Sequence, residues 1–103
     1  MIQYRVDFKS VPWISPAKGV REKVYRVGHR QLRLVEYSKD MPPHWCEKGH
    51  FGYVLGGRME IAFENELHVY SSGDGIFLPR GSDHKHMAKA LTDTVIVVFA
   101  EDV

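Results

Sequence analysis

A period of two runs through this chain. Met59, Ile61 and Phe63 interleave with Arg58, Glu60, Ala62 and Glu64; after a tight connection at Asn65 and Glu66, Leu67 and Val69 alternate with His68 and Tyr70. Successive side chains of a strand point to opposite faces, so this stretch reads as a hairpin with one apolar side. Phe51 to Leu55 leads through Gly56 and Gly57 into the Met59 strand. A Gly-Gly pair supplies the positive φ angles of a two-residue turn, so a second hairpin and a three-strand meander are expected.

Further strands are expected at Gln31 to Tyr37, Ile76 to Leu78, His84 to Ala88 and Thr94 to Ala100, with turns at 38–43, 71–75, 79–83 and 89–93. Val20 to Val27 is charged enough for a short helix, but its β-branched Val20, Val24 and Val27 favour a strand. No stretch combines helical caps with a helical period. Eight or more short strands in 103 residues usually hide their edges by rolling into a barrel or a two-sheet jelly roll, so an all-β, single-domain jelly-roll β-barrel is expected. We expect one domain over 1–103, with the core barrel at about 30–100 and a strand arm at 1–29.

Fourteen Lys and Arg against thirteen Asp and Glu leave a net charge of +1, too little to draw in nucleic acid or an acidic membrane. Cys46 is the only cysteine, so no internal disulfide can form, which suits a reducing compartment. Arg5, Asp7 and Lys9 interrupt the opening residues where a signal peptide needs an apolar run. The longest apolar run, 95–100, is far shorter than the ~20 residues of a membrane-spanning helix. A soluble, cytoplasmic protein is expected.

The chemistry gathers in two places. In His44-Trp45-Cys46-Glu47-Lys48-Gly49-His50, residues two apart on an extended chain would present the His44 imidazole and the Cys46 thiol together. Gly49 permits a bend that brings His50 back from the next strand. Imidazole with thiolate suits Zn, Fe, Ni or Cu better than Ca or Mg. The second place runs from Gly73-Asp74-Gly75 through Pro79-Arg80-Gly81 to His84, with His86 two residues on and on the same side of the expected strand.

These residues resemble the two motifs of the cupin family, in particular its small single-domain members. His44 matches the first motif's leading His, and Gly52-Tyr53-Val54-Leu55-Gly56-Gly57 matches the strand and Gly that follow. Cys46 stands where the family has a second His, and His50 where it has Glu or Gln. Gly73, Pro79, Gly81 and His84 keep the second motif's spacing, while Ala88 replaces its frequent Asn. Trp13 and the run 19–24 are similar to the opening of small cupins of the pectin-degradation, unsaturated-uronate type. The resemblance implies a jelly-roll barrel holding a divalent transition metal (Zn, Fe, Ni or Mn), with His44, Cys46, His50 and His84 as ligands, a small-molecule ligand, and often a homodimer.

One barrel carries many functions, so three readings stand. The first is a metal-dependent isomerase or tautomerase of a sugar-acid-like molecule, slightly ahead of a dioxygenase; His86 is the expected proton-transfer residue. The second is a binding or sensing module without turnover. The third is a closed structural site, since three imidazoles and a thiol would complete a tetrahedral shell. Arg33, Arg58 and Arg80 are expected to be exposed, and Tyr53 and Trp45 to pack.

Overall fold

In a computed structural model, which describes residues 2–103, nine strands follow one another: β1 (Ile14–Ala17), β2 (Val20–Val27), β3 (Arg30–Ser38), β4 (His50–Gly56), β5 (Arg58–Ala62), β6 (Leu67–Ser71), β7 (Gly75–Leu78), β8 (Met87–Ala90) and β9 (Thr94–Asp102). The only helical pieces among the described residues are 3₁₀ turns at Phe8–Ser10 and Ser82–His84. The strands form two sheets, one ordered β1-β2-β3-β9-β4-β7 and the other β6-β5-β8. This is an all-β jelly roll. No helix among the described residues is long and apolar enough to cross a membrane.

Alternation explains the core. Val35 of β3, Val54 of β4, Met59 and Ile61 of β5, Ile76 and Leu78 of β7, and Val95, Val97 and Phe99 of β9 are buried together, and those of β5, β7 and β9 stand two residues apart along their strands. The hairpin read from Met59 to Tyr70 is present: Met59 pairs with Tyr70 and Ile61 with His68, closed by a bond from the Phe63 amide to the Glu66 carbonyl.

The second hairpin is not formed. β4 pairs with β7 and β9, whereas β5 pairs with β6 and β8. Gly57, at φ +81°, turns the chain from one sheet to the other, and a Cβ there would stand 2.3 Å from the Thr94 carbonyl oxygen. The Gly-Gly pair thus makes a corner between sheets. The strand expected at His84 to Ala88 begins only at Met87, because 82–84 coil into a 3₁₀ turn.

The outward face of the large sheet is apolar. Leu32, Ala100, Phe51 and Phe77 line up across β3, β9, β4 and β7, with Tyr53 and Leu55 beside them on β4. Phe77 is 76% exposed and Leu55 50%. Arg58 is exposed as expected, but Arg33 is not, for reasons that belong to the site.

Candidate metal centre

The site lies at one end of the sandwich, where β4 begins, β9 ends and β8 is about to start. Two loops are joined there by backbone: the Cys46 amide donates to the His86 carbonyl at 2.8 Å and the His86 amide to the Cys46 carbonyl at 2.9 Å. Residues paired in this way carry their side chains on one face, about 5 Å apart at Cβ. The Gly81 amide adds a bond to the Glu47 carbonyl. The first motif's loop and the second motif's loop are thereby held in register, and Cys46 and His86 face the same cavity.

His50, the first residue of β4 and on its inward face, completes the group. One donor atom each from Cys46, His50 and His86 lie within 4.8 Å of one another, and Cys46 Sγ stands 3.9 Å from His50 Nε2. Tetrahedral Zn with bonds of about 2.3 Å to sulfur and 2.0–2.1 Å to nitrogen places its donors roughly 3.3–3.8 Å apart. Small side-chain movements would bring these three to that spacing, and their chemistry fits a transition ion. The cavity they face is about 70 Å³, and Tyr37, Met59, Ile61, Leu78 and Phe99 supply much of its wall.

The expected residues divide. His44 lines the cavity but is exposed, with Nδ1 3.4 Å from the Pro42 carbonyl. It stands at the mouth. His84 is exposed at the end of the 3₁₀ turn and is not among the gathered donors. His86, expected to move protons, is 4% exposed and is bridged through the backbone to Cys46. A 3₁₀ turn rotates about 120° per residue instead of the 180° of a strand, so the two-residue phase linking 84 to 86 is lost.

His86 donates from Nδ1 to the His84 carbonyl at 3.1 Å, which leaves Nε2 as the free lone pair. Burial holds its pKa below the usual imidazole value, against the raising effect of that bond. At neutral pH it is therefore an uncharged ring, the form that binds metal.

Behind His50 stands a group that sequence reasoning passed over. Glu101 Oε2 is 2.7 Å from His50 Nδ1, and Oε1 accepts from Gln31 at 2.7 Å and from Arg33 Nε at 2.5 Å. Arg33 also reaches Glu22 at 3.1 Å and lies over the Phe99 ring. Burial alone would raise the Glu101 pKa; the bonds from His50, Arg33 and Gln31 outweigh it and bring the carboxyl down to about 2. A signal for this was present: Val95, Val97, Phe99 and Glu101 share one alternating phase, as do Arg33, Val35 and Tyr37, so charges fall at core positions.

The model of the cupin domain family matches residues 32–100. Among solved structures the chain is similar to KdgF from Halomonas sp., at 24% identity and a TM-score of 0.71 over 89% of this chain and 88% of that one. It is also similar to the polyketide cyclase RemF from Streptomyces resistomycificus, at 23% identity and 0.75 over 98% and 80%. An RmlC-like cupin from Shewanella frigidimarina aligns at 14% identity and 0.73 over 96% and 91%. At these identities the likeness is one of fold. No curated protein sequence matches the chain.

Proposed function

The chain belongs to the cupin family, and from that membership we propose that Cys46, His50 and His86 hold a divalent transition metal at which a small oxygenated, sugar-acid-like molecule is isomerised or tautomerised. The observation that carries this is the meeting of one thiol and two imidazoles, from separate parts of the chain, in a largely apolar cavity. Bound there, a metal supplies Lewis acidity toward a carbonyl or enediol oxygen. The chain's own residues would do the rest. Glu101 and the His84 carbonyl orient the two rings. Phe99, Ile61 and Leu78 exclude water from one side. His44, exposed at the mouth, takes over the proton-moving role first expected of His86, being within reach of both solvent and a molecule at the rim.

A cavity of about 70 Å³ has room for roughly two water-sized groups at ~30 Å³ each. A sugar acid would therefore present one or two oxygens to the site and keep its body at the mouth. The same volume admits dioxygen whole, which supports a second reading, oxidation by dioxygen at this site. Oxygen uptake in the iron-loaded protein separates the two; binding without turnover in either assay would leave a sensing module.

The test is metal content after purification without an affinity tag and exposure to Zn, Fe, Ni and Mn salts in turn. About one tightly held ion per chain is expected for at least one metal, with strong loss in His86→Ala. A metal-free wild type under every condition overturns the proposal. Equal occupancy in Cys46→Ser removes the thiol from the donor set and leaves the imidazoles.

The outward apolar face of the large sheet supports a homodimer. Leu32, Phe51, Tyr53, Leu55 and Phe77 form a patch on one surface, and contiguous apolar area of this kind is seldom left in water. We expect twice the single-chain mass by sedimentation equilibrium in the micromolar range, reverting to one chain in Phe77→Lys. A wild type that stays monomeric throughout that range removes the dimer.

A further inference from the structure

We infer that Glu101 is the positioning residue of His50: its carboxylate accepts a hydrogen bond from Nδ1–H, so that Nε2 is presented as a lone pair toward Cys46 before any ligand arrives. The carboxylate cannot swing away, because both of its oxygens are engaged. Oε2 meets His50 Nδ1 at 2.7 Å and Arg33 Nη2 at 3.3 Å, while Oε1 takes Gln31 and Arg33 Nε. Gln31 lies directly opposite Glu101 in the β3–β9 register, and Arg33 opposite Phe99. The clamp is thus built from neighbouring strands rather than from a loop.

The ring itself is held by packing. Phe99 sits 5.0 Å from the His50 ring, centre to centre. It can lie there because Gly52, paired with it across β4 and β9, has no side chain: a Cβ at 52 would come within 2.6 Å of Phe99 Cδ1. Carboxylate, packed ring and free Nε2 make the arrangement by which histidine ligands are commonly oriented.

This rests on the proposed metal centre only in its second arm, and the two fail separately. The first arm is the tautomer of His50 in metal-free protein, read at mildly alkaline pH from long-range proton–nitrogen correlation spectra and assigned by loss of the signal in His50→Gln. The Nδ1–H form is expected in wild type, with a shift toward the Nε2–H form in Glu101→Gln, whose amide cannot accept at both oxygen positions. The second arm is zinc affinity by competition with a chelator, expected to fall roughly 10–100-fold in Glu101→Gln. An Nε2–H ring in wild type overturns the inference, and this spectrum is sufficient even if the variant does not fold. An unchanged tautomer in folded Glu101→Gln also overturns it. A tautomer that shifts in a protein that holds no zinc upholds the inference and defeats the metal centre.

Discussion

Phe99→Ala is expected to unfold with about 3–5 kcal/mol less free energy than wild type, the range for emptying a buried aromatic site. Phe99 is 3% exposed and belongs to the central buried cluster. Two features place it at the high end. Gly52, which lies against the ring, has no side chain of its own to move into the space, so part of the cavity would stay open. The ring also lies 5.2 Å beneath the Arg33 guanidinium and against His50, so its loss loosens the clamp behind the candidate metal ligands. Chemical denaturation should show a lower midpoint, and metal affinity should fall in the same variant. A loss below about 1 kcal/mol, the size expected of surface changes, would mean that the end of β9 is not packed as described.

Arg33→Met is expected to cost about 3 kcal/mol, because removing one partner of a buried ion pair leaves an uncompensated charge. Arg33 and Glu101 side chains are 15% and 6% exposed, and Glu22, the second carboxylate on Arg33, is 14% exposed. Methionine keeps much of the volume, so charge is what changes. The pH dependence gives an independent reading. Glu101 titrates at about 2 in the fold, below its value in the unfolded chain. The stability it contributes is therefore complete above the usual carboxylate range and is lost as pH falls toward 2. His86, held low by burial, acts with the same sign nearer neutrality: below the usual imidazole pKa the unfolded chain takes up the proton first. Melting temperature in metal-free protein should therefore fall steadily on acidification. In Arg33→Met the carboxylate limb should be smaller and should end at higher pH, since one of the groups holding Glu101 down is gone. Identical acid limbs in the two proteins would remove Arg33 from that role.

Much of the architecture was legible in the sequence because a strand announces itself locally. The Val20–Val27 strand is present over the residues expected, and the buried Met59 and Ile61 of β5 follow the alternation that marked them. Cys46 and His50, singled out by type and spacing, meet at one cavity with His44 at its rim. Partnership between distant strands was less accessible. Gly56 and Gly57 suit a hairpin and a corner between sheets equally well, and only the pairing of β4 with β9 decides. Arg33 is a surface residue by composition alone; Glu22 and Glu101, eleven and sixty-eight positions away, make it an interior one.

The order of apolar and polar residues along the chain was sufficient to determine an all-β fold, because side-chain direction in a strand depends only on parity, and residue type and spacing drew attention to two short segments as sources of candidate donors. Which imidazole of the second segment turns inward was decided by tertiary structure. A 3₁₀ turn at 82–84 breaks that parity, and the backbone bridge from Cys46 restarts it at His86. The Glu101 clamp likewise exists only because three strands far apart in sequence lie side by side, where hydrogen bonds can outweigh the desolvation of a buried carboxylate.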